Sequence, residues 1–286
     1  MINKSEINRL ATVNQVATST IDKDWALGHF VDALFSVPEC REELVFKGGT
    51  CIKKCRIPDY RFSEDIDFTA KNESFVFDRS LLEKITDLIT ERTDIPLFIQ
   101  SIDELRFNNR RTGYVAQVKY WGADHRKDQH PPEPSRWLTS IKIEIILYEL
   151  LVFEAEKRNV YHPYSDKLTE NAQNIPVYNI HEMLAEKIRA LIQRSYTAPR
   201  DYYDIWFLSK NIENVDWKMV TEAFYAKTAY KKLQFSGIEQ LINNENDRIL
   251  KAAWNNSLKH QVSHKNLPEY DVVREDLFSL FQQLFK

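Results

Sequence analysis

The sequence predicts an α/β (α+β) protein in two lobes, the first of strands and helices and the second of helices. Three observations carry this. Between residues 43 and 148 short strand-like apolar runs recur, with helical patterns among them. After Pro176 the strand pattern stops, and the remainder to Lys286 reads as mostly helical. With 43% hydrophobic residues in 286, there is material for one large core or two lobes, and only 6 glycines argue against glycine-rich linkers or repeats. The expected division is a lobe of residues 1–170, with N-terminal helices, and a helical lobe of residues 171–286.

In chain order, Ile21-Asp22-Lys23-Asp24-Trp25 opens a helix whose Leu27, Phe30, Val31, Leu34 and Phe35 form one apolar face, and Pro38 ends it. Glu43 to Phe46 is a short strand running into Lys47-Gly48-Gly49-Thr50. Arg61 to Phe68 is a strand with a polar side, and Phe77 to Arg92 a helix. Leu97 to Phe107, Tyr114 to Trp121 and Trp137 to Tyr148 are strands, the first pair joined by a hairpin connection at Asn108 to Gly113. Residues 122–136, with three prolines and mixed charge, form an exposed loop. His181 to Arg194 is a helix, and Pro199 starts another.

Composition excludes several classes. The N-terminus is polar where a signal peptide needs an apolar run, and no segment approaches the roughly 20 apolar residues of a membrane span, so the expected location is the cytoplasm, with no membrane partner. Cys40, Cys51 and Cys55 lack metal-finger spacing and read as reduced thiols. A net charge of −3 gives no global attraction to nucleic acid, so a polynucleotide partner must meet a local basic patch.

The chemistry-bearing residues fall in four places. Gly48, Gly49 and Thr50 follow a strand and precede a possible helix: bare backbone N–H groups can approach a phosphate, and the threonine hydroxyl can donate to one. The alternative is an ordinary turn. Asp65 and Asp67, two apart in a strand, project from the same face; they either hold a cation between them, which relieves the repulsion of two like charges, or are solvated acids of an exposed strand edge. Glu144 stands opposite the apolar face of Ile141, Ile143, Ile145 and Leu147. It is either a third metal carboxylate or the partner of Lys142. In the helix from His181, Leu184, Ile188 and Leu191 make the buried stripe, while Lys187, Ala190 and Arg194 share another face with room for a bulky anion. Arg200, Asp201 and Asp204 follow, with helix-dipole complementation and an Arg200–Asp204 pair as the ordinary readings.

Together, the blocks Ile21 to Trp25, Val45 to Thr50, Arg61 to Phe68, Glu182 to Leu191 and Arg200 to Ile205 resemble the AbiEii/AbiGii family of nucleotidyltransferase toxins, over residues 20 to 208. The Gly-Gly-Thr and Asp-Ile-Asp elements alone would indicate only the wider polymerase-beta-like nucleotidyltransferase superfamily. The resemblance implies a nucleotidyltransferase-type mixed sheet with flanking helices and a helical C-terminal lobe completing the active-site cleft. It implies NMP transfer from an NTP with Mg²⁺ or Mn²⁺, in a toxin-antitoxin or phage-defence system with a cognate antitoxin. Characterised relatives modify tRNA acceptor ends or bind GTP, so tRNA or another RNA is the expected acceptor. The family pattern makes Asp65 and Asp67 metal ligands; the third acid is Glu144, where an Asp is also common in the superfamily, so its assignment rests partly on its strand pattern. Gly48, Gly49, Thr50 and Ser63 become nucleotide contacts, Lys187 a triphosphate contact, and Asp204 the last catalytic acid. The candidate RNA patch joins Arg106, Arg110, Arg111, Lys119, Arg126 and Lys127 to Arg189, Arg194 and Arg200, with Tyr114, Tyr120 and Trp121 available for stacking. The competing readings are a nucleotidyltransferase acting on a small molecule or protein, and a non-catalytic RNA- or antitoxin-binding module of the same fold.

Overall fold

The computed structural model describes residues 2–125, 129–263 and 266–285. The chain divides into two compact units, residues 1–148 with 155–177, and residues 149–154 with 178–286. Each is described by itself.

The first unit begins with α1 (Lys4–Asn14), α2 (Thr18–Ser36) and α3 (Pro38–Glu43). Next come β1 (Leu44–Lys47), α4 (Gly48–Cys55), β2 (Asp65–Ala70) and α5 (Arg79–Thr93). Then follow β3 (Leu97–Phe107), β4 (Arg110–Tyr120), β5 (Ser140–Ile146), β6 (Glu156–Arg158) and β7 (Ile175–Val177). Among the described residues these strands make one mixed sheet in the order β3-β4-β5-β2-β1-β7-β6. The pairs β2–β5 and β1–β7 are parallel, and the others antiparallel. The mixed α/β class expected from the sequence is therefore the observed one.

Local chemistry explains the element ends. Asn108 and Asn109, at φ 46° and 61°, make the β3–β4 turn, so the strands run to Phe107 and from Arg110. Asparagine tolerates this left-handed conformation, which lets a two-residue loop replace the six-residue connection read from the sequence. The Asp78 side chain accepts from the Leu81 N–H and starts α5.

Helix α2 carries the apolar face that the sequence shows, but its polar residues are buried too. Asp22, Asp24, His29 and Asp32 are each at most 3% exposed. Burying such groups is costly unless each has a partner, and each has one. Asp22 accepts from the Ala123 and Asp124 N–H groups, and Asp24 meets Lys54 and Tyr164. His29 meets Asp166, and Asp32 meets Arg92 and Thr169.

The second unit consists of α6 (Ile180–Gln193), α7 (Pro199–Asn211), α8 (Trp217–Tyr230), α9 (Asn244–Leu258) and α10 (Tyr270–Leu284), with residues 149–154 packed among them. Its core includes Leu184, Ile188, Ile205, Leu208, Val220, Phe224, Leu250, Trp254, Val273 and Phe281. A buried ion network pins the 149–154 segment. Lys227, wholly buried, lies 2.7 Å from Glu182, 3.1 Å from Glu186 and 3.5 Å from Glu149. Arg189 grips Glu149 through both terminal nitrogens, at 2.9 and 2.8 Å. Glu182 also accepts from the Val152 and Phe153 N–H groups.

Candidate active site

Two strands and a helix start organise the acidic face of the first unit. In β2, Ile66 and Phe68 point into the core while Asp65 and Asp67 remain half-buried on the other face. In β5, Ile141, Ile143 and Ile145 are buried, and Lys142 and Glu144 occupy the open face. The parallel β2–β5 register places Asp65 beside Lys142 and Asp67 beside Glu144. All four groups thus share one small area of one sheet face. The sheet converts alternation in two separate segments into this convergence.

Gly48 closes the area from the side. Its φ is +78°, and a Cβ there would lie 2.1 Å from Asp67 Oδ2. Glycine is required twice over, for the backbone conformation and for contact with the carboxylate. A Cβ on Gly49 would lie 2.9 Å from Ser63 Oγ and 3.2 Å from an Arg61 guanidinium nitrogen. Helix α4 starts here, and its N-cap Lys47 offers no side-chain cap. The helix start thus lies against the loop carrying Arg61 and Ser63, and a helix N-terminus is an ordinary setting for an anion. Thr50 is buried, and its hydroxyl donates to the Asp65 carbonyl, so it ties α4 to β2.

The ion pair that the sequence left open is formed: Lys142 Nζ lies 2.5 Å from Glu144. Burial works to lower the Lys142 pKa, but the hydrogen bond and charge of Glu144, and then the charges of Asp65 and Asp67, raise it overall. One ammonium therefore feels all three acids. Among the described residues, the three-residue group with its ligand atoms within 4.8 Å of one another is His29, His162 and Asp166, not these acids. Glu144 joins Asp65 and Asp67 as a ligand only by exchanging Lys142 for a cation.

In the second unit, Lys187 Nζ lies 2.6 Å from Asp204 Oδ2 and 3.7 Å from Asp201 Oδ1. Both aspartates are at most 1% exposed. Arg194 Nε reaches Asp201 at 2.7 Å, a close ion pair not aligned as a hydrogen bond. Lys187, Ala190 and Arg194 therefore do share a face, and that face meets the acids of α7. A cavity of about 160 Å³, lined by Ala190, Arg194, Tyr196, Asp201, Tyr202 and Asn246 among others, adjoins this group.

The basic patch is smaller than the sequence suggested. Tyr114 and Tyr120 are 4% and 0% exposed, because they lie on the buried side of β4, so neither can stack on a base. Arg189 is committed to Glu149 in the ion network. Trp121 is half-buried and stacks on His125, with centroids 3.5 Å apart. Arg126 and Lys127 lie outside the described residues. Arg110 pairs with Glu73, and Arg106 and Arg111 with Glu104. These pairs reach solvent, contribute little to stability, and can be displaced by a phosphate.

Sequence reasoning missed Arg61 beside Gly49, the Lys54–Asp24 pair behind α4, and Lys227. Lysines 53 and 54 were visible as charges in an apolar segment, which is the signal that buried partners exist. Cys51 and Cys55, read from the sequence as reduced thiols, are free and buried in α4.

The mixed sheet thus presents two aspartates two residues apart, approached by a Gly-Gly helix start. The family model described as "Nucleotidyl transferase AbiEii toxin, Type IV TA system" matches residues 29–276, and the chain belongs to that family. The fold is similar to that of MenT4, a nucleotidyltransferase toxin from Mycobacterium tuberculosis H37Rv. That match has a TM-score of 0.65 and 17% identity, and covers 99% of this chain and 90% of that one. JHP933 from Helicobacter pylori is also similar, with a TM-score of 0.54 and 16% identity over 94% of this chain and 93% of that one. No curated protein matches the sequence. Among the described residues, no helix is long and apolar enough to cross a membrane.

Proposed function

We propose that this toxin nucleotidyltransferase transfers NMP from an NTP to an RNA acceptor, with tRNA as the first candidate, and that its reaction centre is the Asp65–Asp67 face. The observation that carries the reading is the seating of Gly48 against Asp67. A left-handed glycine with no room for a Cβ brings the start of a helix against the Asp67 carboxylate, which supports a phosphate site next to a cation site.

The donor set fits a hard divalent cation. Asp65 and Asp67 offer carboxylate oxygens on one face, and Glu144 stands in register with Asp67. Mg²⁺ or Mn²⁺ held there supplies charge neutralisation for the triphosphate and activation of the attacking oxygen. The chain's own residues do the rest. The Gly48 and Gly49 backbone and Ser63 bind phosphate oxygens, and Arg61 adds positive charge beside them. Thr50 serves by holding α4 on β2. The Lys142 ammonium places positive charge among the acids until the cation enters.

Lys187 and Asp204 are assigned to triphosphate binding and catalysis from the family pattern. Their ion pair supports the assignment, since a buried carboxylate holds the ammonium in a fixed position. The RNA acceptor draws support from the exposed arginines at the β3–β4 hairpin, and an antitoxin partner follows from the family. The test is transfer of label from each NTP, carrying it on the α-phosphate, into total tRNA and into a whole-cell extract. Label in a protein or small-molecule fraction would replace the RNA reading while leaving nucleotidyl transfer in place.

A further inference from the structure

The segment between β6 and β7 carries ligand-type side chains that nucleotidyl transfer does not use. His29 sits in the middle of α2, and His162 and Asp166 follow β6. Each oxygen of Asp166 faces one imidazole: Oδ1 is 2.9 Å from His162 Nε2, and Oδ2 is 3.1 Å from His29 Nε2. Trp25 Nε1 donates to both oxygens, at 3.1 and 3.0 Å, and so fixes the carboxylate plane from behind. The two imidazoles meet edge to face with centroids 5.0 Å apart. All the ligand atoms lie within 4.8 Å of one another.

Three features set this group apart from an ordinary histidine–aspartate hydrogen bond. The chain gives up a side chain to seat it: a Cβ on Gly28 would lie 2.6 Å from His162 Nδ1. Glycine inside a helix is destabilising relative to alanine. Both Nδ1 atoms are buried without a hydrogen-bond partner, so the hydrogen bond that orients each ring is the one its Nε2 donates to Asp166. A cation taken up by the two Nε2 atoms replaces their hydrogen bonds to Asp166, and each neutral ring then carries its proton on Nδ1. Finally, two imidazoles and one carboxylate are a transition-metal donor set, unlike the all-oxygen set at Asp65 and Asp67. Asp166 is the member that reaches solvent, with 21% of its side chain exposed, and solvent on that side can supply a fourth ligand.

We propose that His29, His162 and Asp166 form a binding site for a divalent transition metal of the zinc class, with Trp25 orienting the carboxylate. The site ties the segment after β6 to α2. That segment also braces α4: Tyr164 donates to Asp24, Asp24 holds Lys54, and the Tyr161 N–H donates to the Lys54 carbonyl. Metal binding therefore stiffens the support of the helix that begins at Gly48. The two metal sites share no residue.

The test uses the untagged full chain, stripped with a chelator and titrated with Zn²⁺ by calorimetry, and with Co²⁺ as a spectroscopic probe. One equivalent of Zn²⁺ is expected to bind and to raise the melting temperature, and Co²⁺ is expected to show nitrogen–oxygen ligand-field bands. Asp65→Asn with Asp67→Asn should retain that equivalent, whereas His162→Gln should lose the uptake, the melting shift and the cobalt bands. Circular dichroism of His162→Gln checks its fold, and Asp166→Asn provides a second variant with the same expected loss. Failure of the stripped wild-type chain to take up Zn²⁺ overturns the proposal, as does undiminished uptake by both variants. Either result leaves a hydrogen-bonded triad and does not touch the Asp65–Asp67 reading.

Discussion

Gly48→Ala tests the junction on which the site depends. The backbone at Gly48 is left-handed, which costs an L-residue about 1–2 kcal/mol. The new methyl would lie 2.1 Å from Asp67 Oδ2, 2.9 Å from its Cγ and 3.1 Å from its Cβ. All three atoms belong to one side chain, so the cheapest relief is rotation of Asp67 away from the helix start. Stability should therefore fall by only about 1–3 kcal/mol. Transfer should fall much further, because removing one group that stabilises transition-state charge costs roughly 10²–10³ in rate. Gly113→Ala is the control. Its Cβ would meet the Ile145 carbonyl oxygen at 2.4 Å, a backbone clash within the sheet. It should cost stability more than turnover per folded molecule. Denaturant midpoints and label transfer from an α-labelled NTP measure both quantities. Wild-type transfer by a folded Gly48→Ala chain would refute the argument.

Four further outcomes follow from the structure. Lys227→Ala leaves Glu182 and Glu149 buried beside a vacated cation position and should destabilise the second unit by about 3–5 kcal/mol in urea titrations; an unchanged midpoint would show the network to be dispensable. Burial raises the Asp22 pKa from 3.8 to about 7. The native state then holds the proton while the unfolded chain has lost it, so stability should fall as pH rises from about 4 to 7, by about 4 kcal/mol at most, and level off above. Asp22→Asn should remove that slope, and a parallel slope in the variant would assign it elsewhere. Lys187→Ala should raise the apparent KM for NTP or lower kcat; unchanged kinetics with all NTPs would remove Lys187 from the triphosphate. If RNA is the acceptor, charge reversal at Arg110 and Arg111 should flatten the salt dependence of tRNA binding by about one unit per lost phosphate contact, and binding indifferent to salt would favour another acceptor.

The parts of the fold that were legible are those where periodicity and local chemistry agree. Ile141, Ile143 and Ile145 alternate and form β5, and the start of α7 at Pro199 follows from its fixed φ. What stayed hidden depends on distant partners. The sequence shows Asp22, Asp24, His29 and Asp32 as the polar side of an amphipathic helix, but partners about 30 to 140 residues away bury that side as well. Strands β6 and β7 span three residues each, too short for any period to register. Within the candidate site, the shared face of Asp65 and Asp67 was legible because one strand fixes it. The partner of Glu144 was open because two readings fit the same alternation, and the contact of Gly48 with Asp67 depends on a register between strands that no local pattern encodes.

The central claim is that Asp65 and Asp67 carry nucleotidyl transfer. Its most direct measurement compares the wild-type chain with Asp65→Asn and Asp67→Asn in label transfer from each α-labelled NTP, with Mg²⁺, into a whole-cell extract, circular dichroism confirming that each variant is folded. The wild-type chain should transfer label from at least one NTP, and each folded variant should lose about 10²-fold or more. Transfer by either variant at the wild-type rate would contradict the claim.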